Sequence, residues 1–139
     1  MLKKLFAPGN NSFLASFGLL VLRLWFGLAM FFDHGVAKLT HFSQVAPHFP
    51  DLIGIGPAAS LALATFAEFF ATLLLAIGLV TRFAALALVV NMSVAFFLAM
   101  KASLSQANGE LAFLYLAAYV VLLITGPGKL SVDGALFGK

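Results

Sequence analysis

Four apolar runs, each long enough to cross a lipid bilayer, dominate this chain. Crossing the hydrocarbon core takes ~20 mostly apolar residues in a helix. Such runs lie at residues 13–32, 58–80, 83–100 and 110–126. They are uninterrupted and lack the alternation of a barrel strand, so helices are the one spanning structure left. Composition agrees. Hydrophobic residues make up 63% of the 139 and charged residues 9%, and a soluble domain this small keeps too much surface in water to hide that much apolar area. The expected fold is all-α: an integral membrane four-helix bundle, antiparallel up-down, forming a single domain over residues 1–139.

The connections are uneven. Thr81 and Arg82 alone separate the second and third runs, and Ala102 to Asn108 join the third and fourth, with Asn108-Gly109 as the turn signal. Residues 33–57 form a long first connection. Pro47, Pro50, Pro57, Gly54 and Gly56 argue against a fifth span there. Apolar Phe42, Val45, Phe49, Leu52 and Ile53 predict a short amphipathic helix near Phe42–Phe49, lying at the membrane interface. Gly126-Pro127-Gly128 stops the fourth helix, and the tail over residues 127–139 is expected to dock at the inner interface. Lys3, Lys4, Arg82, Lys129 and Lys139 fall on one side and Lys38 and Lys101 on the other. That bias predicts both termini in the cytoplasm. A cleaved signal peptide is not expected, because the apolar run begins only near Phe13 and no small-residue cleavage site follows it.

Several function classes drop out. The net charge is +3, but its basic residues are scattered and form no patch for nucleic acid. Cysteine is absent, which removes disulfides, thiol redox centres and iron–sulfur clusters. His34, His41 and His48 recur every seven residues, which on one helix is ~10 Å apart. That is too far to share a metal, and no metal site or bridging haem is expected. Phosphate loop, nucleophile elbow and zinc spacing are missing as well, so no residue is assigned a catalytic role. Any redox role requires a bound quinone or a partner subunit.

Two charges sit deep inside spans, and burying each there costs about 2.5–3.5 kcal/mol. Counted from the cytoplasmic ends, Arg23 lies ~15 Å deep and Glu68 ~18 Å deep. The matched depths on adjacent antiparallel helices predict an Arg23–Glu68 ion pair. Asn91 and Tyr115 reach a similar level, Tyr119 shares a face with Tyr115, and Thr65 and Thr72 flank Glu68. Each helix thus places a polar side chain near the midplane. Two readings compete: interhelical glue, or a functional polar layer. His34 continues the Arg23 stripe through Gly27 and Met30 toward an outer rim that also holds Asp33, Lys38 and Glu110. For Asp33 and Lys38 the plainer reading is a solvated helix end. The candidate ligand-binding set is Arg23, His34, Lys38, Glu68, Asn91 and Tyr115.

The segments LRLWFGLAMFFDHGVAKL (residues 22–39), EFFATLLLAIGLVTRFAAL (68–86), NGELAFLYLAAYVVLL (108–123) and GPGKLSVD (126–133) together resemble the DoxX family of bacterial membrane proteins. The matching positions are Arg23, His34, Gly35, Lys38, Glu68, Arg82, Asn108, Gly109, Gly126, Pro127, Gly128, Ser131 and Asp133. Asp33 and the stretch Phe69–Ala71 depart from the family pattern. The resemblance implies a DoxX-like fold and a non-catalytic subunit of a quinone-linked or oxidative-stress redox system, with a bound quinone and redox-complex subunits as partners. The competing expectations are a small-solute or proton transporter in which Glu68 changes protonation, and a structural assembly factor. Alanine-rich helix faces leave room for a homodimer.

Overall fold

The computed structural model describes residues 12–138. Lys3, Lys4 and Lys139, used in the charge count, lie outside them. Four helices are long and apolar enough to cross a membrane: α1 (Phe13–Thr40), α3 (Pro57–Ile77), α4 (Thr81–Ala99) and α5 (Ala107–Thr125). Two short helices complete the described chain, α2 (Phe42–Val45) after α1 and α6 (Val132–Phe137) in the tail. The all-α bundle is therefore as expected. We refer to the end holding Ser12, the α3–α4 turn and α6 as the tail end, and to the other as the loop end.

Packing follows from small residues. Ala64, Ala67, Ala71, Ala84, Ala85, Ala112 and Ala118 are buried at helix contacts, and small side chains let helix backbones approach where lipid offers no hydrophobic drive. α4 packs along α5, and α1 along the tail half of α3. Leu61, Leu75, Leu88, Leu122 and Tyr119 fill the centre. Large apolar side chains cover the outside: Trp25 is 70% and Ile124 71% exposed, a surface suited to lipid.

Three connections differ from the sequence expectation. α1 does not stop at Phe32 but continues to Thr40 through a widened, π-helical turn at Phe31–Gly35. Asp33, His34 and Lys38 are consequently helical. Gly35 makes this extension pack, since a Cβ there would sit 2.7 Å from the Glu68 carbonyl carbon and 2.9 Å from Phe69 Cα. The α3–α4 connection is Gly78–Val80, while Thr81 and Arg82 open α4. Gly78 adopts φ +76° and caps α3 by donating to the Leu74 and Leu75 carbonyls at 2.9 and 3.1 Å. Asn108-Gly109 is no turn; both residues lie in the first turn of α5. The chain reverses instead at Lys101 and Ala102, with φ +50° and +55°. Gly109 is there for close approach, because a Cβ would run into the Ser103 carbonyl.

In the first connection, α2 and a tight turn at Ala46–His48 occupy the stretch where a short helix was expected. Asp51 then organises the entry to α3. Its carboxylate accepts from the Gly54, Ile55 and Gly56 amides and the Ser60 hydroxyl at 2.9–3.0 Å. Desolvation raises its pKa, but these four donors together outweigh that and hold the carboxyl below the usual carboxylate value.

Candidate functional site

Arg23 and Glu68 do not meet. The Arg23 guanidinium, 0% exposed, donates to the Ala76 and Leu75 carbonyls at 3.2 and 3.4 Å and to the Leu130 carbonyl of the tail. The Glu68 carboxylate pairs with Lys38 and accepts from Asn91 Nδ2 at 2.9 Å. The expected Arg23–Glu68 pair is thereby corrected, and the single midplane layer becomes two separate polar centres. The reason is directional. A Cβ tilts toward its own helix N-terminus, so a long side chain on α1 reaches toward the tail end. On antiparallel α3, Glu68 reaches toward the loop end. Depth counted on the backbone matched, but the two head groups diverge. Lys38 sits farther along α1 and reaches back down to the carboxylate from the loop end. It is not the solvated helix end that its rim position suggested.

The tail-end centre joins four segments. Besides Arg23 on Leu130, Ser16 Oγ accepts from the Lys129 amide at 3.1 Å. The buried Asp133 carboxylate accepts from the Val80 and Thr81 amides, both at 2.8 Å, and the Asp133 amide donates to Gly78 O at 2.8 Å. Val80 has φ +43°, costly for a β-branched residue. Asp133 fixes that residue and caps α4, whose first amides have no partner within the helix. Ser131 caps α6 by accepting from the Gly134 amide at 2.9 Å. The chain itself supplies the partners of the Asp133 carboxylate and of both terminal guanidinium nitrogens of Arg23, while among the described residues Arg23 Nε and Thr81 Oγ1 are buried without one.

The loop-end centre borders open space. A cavity of about 680 Å³ lies among α1, α3, α4, α5 and the segment around Phe49–Ile53. His34, Lys38, Glu68, Asn91 and Tyr115 all line it, and Arg23 does not. Five of the six sequence candidates therefore share one wall. Most of the remaining lining is apolar, including Met30, Leu63, Leu86 and Val90. A mostly apolar cleft with a few convergent polar groups is the usual form of a small-molecule site. Its polar groups keep unused capacity: among the described residues each Glu68 oxygen accepts one bond and Asn91 Oδ1 none. Among the described residues the Tyr115 hydroxyl has no hydrogen-bond partner, although Tyr115 is only 6% exposed. The His34 ring stands edge-on to Tyr115, with centroids 6.4 Å apart.

Widened turns shape this wall. Besides Phe31–Gly35 on α1, α3 widens at Phe66–Ala71 and α4 at Val94–Ala99, and residues of all three line the cavity. Such turns re-aim side chains and recur at functional sites. In α3 the Thr72 hydroxyl donates to the Glu68 and Phe69 carbonyls at 2.8 and 2.9 Å, next to the widened segment. Thr72 thus acts on the backbone. Tyr119, expected to share the polar face, donates to the Phe26 carbonyl at 3.1 Å and crosses to α1.

The DoxX family model matches residues 18–101, more than half of the chain. The chain belongs to the DoxX family. No curated protein and no solved structure matches it. In this DoxX protein the matched span contains His34, Gly35, Lys38, Glu68 and Asn91, hence most of the loop-end polar wall. The tail that locks Arg23 lies outside that span. Sequence reasoning missed Asn108 as a cavity residue and Asp133 as the cap of α4. The former was assigned to a turn, and the latter's partners lie more than fifty residues away. Among the described residues no group of three or more His, Asp and Glu side chains comes together to hold a metal.

Proposed function

We propose that this DoxX protein is a non-catalytic membrane subunit of a quinone-linked redox or oxidative-stress system, and that the loop-end cavity binds the quinone head group. One observation carries the reading. An apolar cavity within the spans ends on a neutralised Lys38–Glu68 pair with Asn91, His34 and Tyr115 beside it. A quinone ring needs such a place: apolar walls for its faces, and donors for its carbonyl oxygens from Lys38, Tyr115 or His34. The chain's own residues supply binding and orientation, while electrons come from and go to the quinone and its partner subunits. Arg23 is left out of the ligand set because it does not line the cavity and its terminal nitrogens donate to carbonyls of the tail end. The Lys and Arg bias supports an inner-membrane protein with cytoplasmic termini. A transporter requires a path onward through the tail half, where Arg23 and the tail are packed.

Retention of quinone on purification tests the reading. Protein purified from quinone-containing membranes in mild detergent should carry quinone, detected in an organic extract. Glu68→Gln and Asn91→Leu, still helical by circular dichroism, remove or loosen the carboxylate that positions Lys38 and should retain roughly tenfold less or lower, the scale of one charge-assisted hydrogen bond from Lys38. Wild-type protein without quinone, under conditions that keep it folded, contradicts the proposal.

A further inference from the structure

Part of the cavity wall is at the same time part of the outer surface. Leu63 and Phe66 on α3, and Phe83, Leu86 and Val90 on α4, line the cavity yet are 44–56% exposed. All five lie in membrane-spanning helices, so the part of that exposure on the outside of the bundle faces acyl chains. On α4 the lining residues Phe83, Ala87, Val90 and Val94 fall at helical spacing on one stripe. From Phe83 to Val94 that stripe covers ~16 Å of helix, and Asn91 beside it marks where the polar wall begins. The groove is therefore apolar along its length and polar at one end only. That end has no net charge, because Lys38 and Glu68 cancel.

We infer that the α3–α4 groove is a lateral portal from the bilayer, and that it holds the hydrocarbon tail of a membrane-borne amphiphile whose compact, uncharged head lies against Glu68, Asn91 and Tyr115. The inference rests on the cavity being a ligand site and adds the route and the tail. Polarity complementarity selects this occupant. A water-soluble solute would leave the long apolar stripe unmatched. A second copy of the chain would leave the Tyr115 hydroxyl, a donor with no hydrogen-bond partner among the described residues, without the head-group oxygen it can donate to.

Ala87 faces the groove and leaves the polar wall untouched, so Ala87→Phe narrows the tail path. In nanodiscs, with affinity expressed per mole fraction in the bilayer, Ala87→Phe should weaken a decyl-substituted benzoquinone about tenfold, the scale of an overpacked contact. It should leave the methyl-substituted counterpart unchanged. Equal loss for both, or loss for neither, overturns the portal. Wild-type protein provides a second measurement. A benzoquinone with a diazirine at the end of its alkyl chain should label α4 between Phe83 and Val90, and labelling of Phe49–Ile53 instead overturns the inference. Failure of either benzoquinone to bind wild type counts against the quinone reading, and a diazirine fatty alcohol then still decides the groove. Label concentrated on the same α4 stripe upholds it, and label spread evenly over the lipid-facing surface overturns it.

Discussion

Replacing Arg23 with methionine is expected to lower the stability of the detergent-solubilised protein by about 3–5 kcal/mol, the range for removing one member of a buried charged network. Methionine fills similar apolar volume, so the loss reports the guanidinium and not a cavity. Three carbonyls lose the guanidinium as donor: Ala76 and Leu75 at the end of α3, of which Leu75 keeps the Gly78 amide, and Leu130 in the tail. Asp133 also loses the cation whose charge acts with it across the tail end. Graded unfolding in SDS measures the loss. Trypsin adds a local readout, because a loosened tail should be cut at Lys129 well before the bundle unfolds. Arg23→Lys should restore only part of the stability, since a single ammonium cannot match a planar fork of donors. A stable Arg23→Met protein with an uncut tail would show that this centre is not the staple described.

Gly35→Val should be similarly severe, with a loss of about 3 kcal/mol, at the upper end for overpacking. Glycine is disfavoured in a helix by roughly 1 kcal/mol relative to alanine, so a substitution that met open space would stabilise. Here it meets backbone: the Glu68 carbonyl carbon at 2.7 Å and Phe69 Cα at 2.9 Å, neither of which can swing aside. α1 and α3 must separate where Lys38 crosses to Glu68, so ligand retention should fall together with the melting temperature. Gly18 is the control. A Cβ there meets nothing within 4 Å, and Gly18→Ala should be neutral or stabilising. A Gly35→Val protein with wild-type melting behaviour would contradict the close helix crossing.

How far the sequence could be read follows from which forces act locally. Spans were legible because the hydrocarbon core demands a fixed length of apolar residues, and Phe13 onward, Ala58 onward and Leu111 onward each supply it. Five cavity residues were legible because buried polar side chains are costly in lipid and stand out. Their partners were not. Matching Arg23 to Glu68 by depth compared Cα levels, whereas charged head groups sit most of a side-chain length away from Cα, toward each helix's own N-terminus. On antiparallel helices this offset doubles and carries opposite charges apart. Lys38 was read as solvated for the same reason. Asn108-Gly109 shows the other gap. Its dipeptide is a strong turn signal, yet Gly109 is there because the Ser103 carbonyl approaches it, a tertiary fact with no local trace. Asp133 likewise caps Val80 and Thr81 from the far end of the chain, and only the fold brings them together.

The central claim is that Glu68 belongs to Lys38 and the cavity, and not to Arg23. A pair of double-mutant cycles tests it, with stability measured for Glu68→Gln combined with Lys38→Met and, separately, with Arg23→Met. The account predicts a coupling of about 1–3 kcal/mol in the Lys38 cycle, and additivity within about 0.5 kcal/mol in the Arg23 cycle. Strong coupling of Glu68 to Arg23, with none to Lys38, would contradict it.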